Sequence, residues 1–258
     1  MSNYDNQWNE DEQFRGGSSY SEQNDTAYFN GGYQNMVEER EERARTVLGK
    51  TFGYMVLAMI LSAMSALYVY QSSFVYVMIF NNAVFYGLLI AELVVVIAAN
   101  FAISKQNIGL SAFLFFAYSI INGITLSVIF LAYAGSTILS VFILAAVVFG
   151  VMAVIGLTTK ANLDGVGAVG MMLLIGVISL GVFNLFIKSS GLDLFVTVLG
   201  LAVFIGLTMY DTKKIKEMAY EDTASSTTII AIFGALQLYL DFINIFLKLL
   251  RLLGRSRN

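Results

Sequence analysis

Seven apolar runs of about twenty residues, joined by short polar connections, constrain this chain more than any other feature. They lie near 51–70, 84–103, 108–132, 137–158, 166–187, 193–212 and 227–250. As helix, about twenty residues cover about 30 Å, the hydrocarbon thickness of a bilayer. The runs are continuous rather than alternating, which points to helices and away from a β-barrel. With 57% hydrophobic and 13% charged residues, the 258-residue chain carries more apolar surface than a soluble domain needs. The reading is an all-α membrane protein with seven transmembrane helices. A shorter apolar stretch, Phe74–Phe80, cannot span and is placed as a cap on the first two helices. Ala146 and Gly150, and the Gly-rich fifth span, sit at spacings that allow close helix contact.

The flanks differ from this core. Residues 1–35 are rich in Asn, Gln, Ser, Gly, Tyr and acids, and read as a disordered polar tail. Residues 36–50 carry Glu39/Arg43 and Glu41/Arg45 at i,i+4, acid first, the order that supports a short charged amphipathic lead-in helix. Residues 51–254 form the transmembrane domain, and 255–258 a basic tail. No cleavable signal sequence is recognised, because the first apolar run follows a long charged segment. Basic residues favour a cytoplasmic N-terminus: Lys105, Lys160, Lys213, Lys214 and Lys216 fall in inner connections, and only Lys188 in an outer one. The C-terminus conflicts, since Lys248, Arg251, Arg255 and Arg257 would lie outside if the last run crosses fully. The length of that run favours a full crossing.

The chain contains no Cys, His or Pro. Disulfides, thiolate metal sites and the commonest catalytic base are therefore excluded. Of the eighteen acids, ten precede Gly49, so the membrane region holds few enough to weigh singly. Three lie in or beside apolar runs: Glu92, Asp211 and Asp241. Asp241 sits in the middle of the last run, where a carboxylate costs about 2.5–3.5 kcal/mol on insertion scales. Gln237, Asp241, Asn244 and Lys248 follow at intervals of four, three and four. At 100° per residue they fall within about 60° of one another. The seventh span thus has a narrow polar stripe, which must face a polar cavity or buried partners rather than lipid.

Asp211 ends the sixth span and Asp241 lies in the antiparallel seventh, so the two can meet if the sixth span is deep. Two carboxylates in a low-dielectric site share a proton rather than both ionise. Such a pair selects a proton or a hard cation such as calcium, with Asp211 and Asp241 as its ligands. Glu92 is expected to line the same cavity. Lys214, one turn from Asp211, can hold its charge, and Lys213, Lys214 and Lys216 read as anchors at the inner surface. Met171 and Met172 read as core.

Two motif matches do not survive their context. Gly165-Val-Gly167-Ala-Val-Gly170 fits a dinucleotide fingerprint, but it opens a membrane span and no strand precedes it. Tyr210-Asp211 with a second intramembrane Asp suggests an aspartyl protease, but Leu238-Tyr239-Leu240-Asp241 lacks the glycines of that site. The chain is read as a non-enzyme, with no cofactor and no nucleic-acid partner.

MYDTKKIK (Met209–Lys216) and QLYLDFINIFLKLLRLLG (Gln237–Gly254) resemble the Bax inhibitor-1 family, in its bacterial YetJ/YccA-like branch. NGITLS (Asn122–Ser127) and the acid at Glu92 also fit, and the resemblance covers about residues 40–254. It implies a seventh helix central between two three-helix layers. It implies a pH-sensitive calcium leak of the plasma membrane, with Asp211 and Asp241 as sensor and gate, and leak rising on acidification. In that branch an Arg at the inner end of the second span can latch to the first aspartate. Here the stretch is Asn100–Lys105, so Lys105 is the available latch, and Lys grips a carboxylate less rigidly than Arg. Some relatives modulate a membrane protease, which makes an interaction protein the alternative. The implied partners are membrane lipids, calcium ions and such a protease.

Overall fold

The computed structural model describes the backbone of residues 10–254 and the side chains of residues 34–254. The chain divides into two units, Met1–Arg43 and Ala44–Asn258, and the bundle lies in the second. The helices are α1 (Glu10–Gln71), α2 (Phe74–Phe80), α3 (Asn82–Ser104), α4 (Ile108–Leu126), α5 (Ile129–Ala132), α6 (Gly135–Thr158), α7 (Asp164–Ile187), α8 (Ser190–Glu221) and α9 (Thr227–Leu253). Seven spans among the described residues are long and apolar enough to cross a bilayer, with α4 and α5 together making one. No break separates the expected lead-in over 36–50 from the first span, because α1 is continuous there. The expected tail over 1–35 falls largely, and the basic end over 255–258 wholly, outside the described side chains.

Polar caps start α4, α8 and α9, where no proline is available to punctuate the chain. The side chains of Asn107, Ser189 and Ser226 accept from the backbone N–H groups of Leu110, Leu192 and Thr228. Lys188 closes α7 in the left-handed region, at φ 56°, and turns the chain directly into α8.

The last helix is the centre. α9 has 78% of its apolar window buried, against 11% for α7 and 6% for α3. α3 and α4 pack on each other and on α9, while α6 and α8 pack on each other and on α9. α7 packs on α8. α1 crosses α4 so closely that a Cβ at Gly123 would lie 2.2 Å from the Ser62 carbonyl oxygen. Only glycine fits that crossing. The short α2 covers one end, where Val75 and Met78 are buried with Val69 of α1 and packed by Val84 and Leu88 of α3. By contrast, the contact expected at Ala146 and Gly150 does not form. Ala146 is exposed, nothing lies near a Cβ at Gly150, and α6 instead buries Val141, Ala145 and Phe149.

Candidate functional site

A cavity of about 1130 Å³ is lined by residues of α7, α8 and α9 and of the turn joining α7 to α8. Asp211 and Asp241 both reach it, and their side chains lie within hydrogen-bonding range of each other. They meet because α8 continues to Glu221, well past the boundary near 212 that hydropathy suggests. Asp211 is therefore about 15 Å inside the end of α8, and Asp241 about 21 Å inside the start of α9. Asp211 does not end its helix; it sits within it, opposite the middle of the next.

Asp241 is 4% exposed, and its Oδ2 has no hydrogen-bond donor. Thr208 of α8 lies beside this carboxyl, while its hydroxyl donates to the Phe204 carbonyl at 2.8 Å. Two acceptor-only groups thus face each other in a buried place. That arrangement is stable only with a proton or a cation between them.

Gln237, Asn244 and Lys248 also line the cavity, so the α9 stripe faces one space. Asn244 Nδ2 donates back to the Leu240 carbonyl at 2.8 Å. Lys248 lies along α8 at Gly200, where a Cβ would come within 3.0 Å of its Cε. Glu92, expected in the same cavity, does not line it. It stands on the other side of α9, where Asn122 Nδ2 donates to its Oε2 at 3.3 Å. The Tyr239 hydroxyl donates to Asn122 Oδ1 at 3.0 Å and lies 2.6 Å from Ser62 Oγ. Tyr239 is two residues from Asp241, about 200° around the helix, so α9 carries polar groups on opposite faces.

The two proposed latches separate. Lys214 lines the cavity near Asp211, with Nζ 5.4 Å from the Tyr210 ring centroid. Lys105 lies 5.5 Å from the Phe101 ring centroid and does not line the cavity. Lys213 and Lys216 donate to the Ala161 and Leu157 carbonyls, at 2.6 and 2.9 Å, and so hold the end of α6. The Gly-rich motif serves packing: a Cβ at Gly167 would lie 2.4 Å from the Tyr210 ring. Met171 lines the cavity rather than filling core, and Met172 is 71% exposed.

Sequence reasoning missed the other end of the cavity. Lys188, Asp193, Lys248 and Arg251 gather there, and Arg251 forms an ion pair with Asp193. Asp193 and Arg251 are 58 residues apart, with no local pattern to join them. The cavity is therefore acidic at one end, with Asp164, Asp211 and Asp241 against Lys214, and basic at the other. No group of three or more His, Cys, Asp or Glu converges among the described residues. Two carboxylates fall short of the six to eight oxygens of a calcium storage site. They suit passing contact with an ion better than retention.

Residues 44–258 match the family described as Inhibitor of apoptosis-promoting Bax1. The chain is similar to the inner membrane protein YbhL of Escherichia coli K12, 42% identical over 217 residues, covering 83% of this chain and 93% of YbhL. It is also similar to protein RP147 of Rickettsia prowazekii, 33% identical over 222 residues, covering 84% and 93% of the two chains. A membrane protein of Streptococcus pyogenes serotype M1 is 35% identical over 190 residues, covering 74% and 82%.

Proposed function

This chain belongs to the Bax inhibitor-1 family, and on that footing we propose that it is a pH-sensitive cation leak, with calcium as the permeant ion. Asp211 and Asp241 are its gate and sensor. The observation that carries this reading is the donor-free Oδ2 of Asp241, buried beside a second carboxylate in a cavity between helices. Charge in the pair depends on how many protons it holds, so both cation contact and the force between α8 and α9 change with pH. The sign follows the family resemblance: leak increases as pH falls. Lys214 is the cation facing Asp211, and Asp164 lines the cavity from α7. The bacterial plasma membrane with a cytoplasmic N-terminus is the proposed setting.

Calcium entry into indicator-loaded liposomes holding purified protein tests this. Flux above that of protein-free liposomes, rising on acidification, is expected. The pH dependence should vanish in Asp211→Asn and in Asp241→Asn. Flux equal to that of empty liposomes at every pH would overturn the reading.

A further inference from the structure

We propose that the groove between α7 and α9 binds one anionic phospholipid, with its headgroup at Lys188, Lys248 and Arg251 and an acyl chain along α7. Among the described residues the groove has walls from α7, α8 and α9 and none from α1 to α6. Its remaining side has no wall among those residues, and its α7 face, unlike the polar α9 face opposite, is apolar and suited to hydrocarbon. The α7 wall is suited to this. Met171, Leu174, Ile178, Val182 and Leu185 line the groove at intervals of three and four, one apolar stripe on a helix that packs on α8 and is otherwise open.

Charge complementarity names the headgroup. Among the described residues, three cations, Lys188, Lys248 and Arg251, meet a single carboxylate, Asp193, at that end. Arg251 is paired with Asp193, which fixes its guanidinium at the mouth. The Lys248 Cε and ammonium lie against Gly200 of α8, near enough to Arg251 and Asp193 to interact with both. Ammonium and guanidinium groups are the usual partners of a phosphate. The volume, about 1130 Å³, exceeds the usual 300–1,000 Å³ of a small-molecule pocket and leaves room for a long chain. The site shares its cavity with the aspartate pair, but lipid retention is read separately from ion flux.

Native mass spectrometry of the full-length protein, titrated with phosphatidylglycerol and with phosphatidylcholine, provides the test. One phosphatidylglycerol is expected to be retained in preference to phosphatidylcholine. Each cation removed should weaken retention about five-fold, so Lys188→Gln with Lys248→Gln should abolish the preference. Gly181→Phe should reduce retention of both lipids by filling the groove, because a Cβ there meets only Val196, at 4.0 Å. Thermal midpoints of the variants confirm that they fold, and Lys188→Arg should keep the preference. Equal retention of the two lipids by the wild type overturns the proposal. So does a preference that survives the lysine changes, or retention that survives Gly181→Phe in a folded variant. Displacement of the lipid by millimolar inorganic phosphate would assign the basic cluster to a free anion and overturn the lipid as occupant.

Discussion

The two polar faces of α9 solve the same problem in opposite ways. On one, the Tyr239 hydroxyl is fully buried, bonded to Asn122 and beside Ser62, and ringed edge-on by Phe115 and Tyr118. On the other, Asp241 faces a cavity and a second carboxylate, with one oxygen lacking a donor. The first face is packed, and its Tyr239, Asn122 and Ser62 groups are paired, although Glu92 Oε1 beside them also lacks a donor. What sets the second apart is the cavity and the second carboxylate beside the unpartnered oxygen. Polar groups in a membrane bundle are thus best sorted by what surrounds them rather than by their presence.

Substitutions should separate the faces. Tyr239→Ala removes a side chain with no exposure and leaves Asn122 Oδ1 without its donor. A loss of about 3–5 kcal/mol is expected, seen as a large fall in the unfolding midpoint in detergent. Asp241→Asn should leave that midpoint unchanged or raise it, because it removes a buried charge, while changing the pH profile of flux. If Asp241→Asn destabilised the protein as much as Tyr239→Ala, the contrast between the faces would fail. Gly123→Ala forces a Cβ to within 2.2 Å of the Ser62 carbonyl oxygen and should cost about 1–3 kcal/mol on the same assay. Gly176→Ala, with nothing within 4 Å, is its neutral control. Tyr239→Phe deletes one interhelical hydroxyl and should cost about 0.6–1.7 kcal/mol.

What the sequence discloses follows from the physics of each signal. The seven spans are legible because a bilayer demands about twenty apolar residues in a row. Asp241 is legible because a charge in such a run is costly, and its stripe follows from helical period alone. The end of α8 is not. Lys213 to Glu221 remain helical beyond the hydrocarbon, where hydropathy carries no information, so Asp211 looks like a terminal residue and is not one. The side of α9 on which Glu92 falls depends on how α3 is turned in the bundle, which composition does not encode. Tyr239 is not singled out by an apolar run, although its place 200° from Asp241 marks a second polar face. Glycines mislead for the same reason: Gly150 meets nothing, whereas Gly123, inside a family motif, sets a helix crossing.

Asp211 and Asp241 are proposed to act as one titrating unit, which a double-mutant cycle on calcium flux against pH can test. The prediction is that Asp211→Asn, Asp241→Asn and the double variant lose the pH dependence to the same extent, because either single change already dissolves the pair. A single variant that keeps the wild-type pH profile, or losses that add in the double variant, would contradict it.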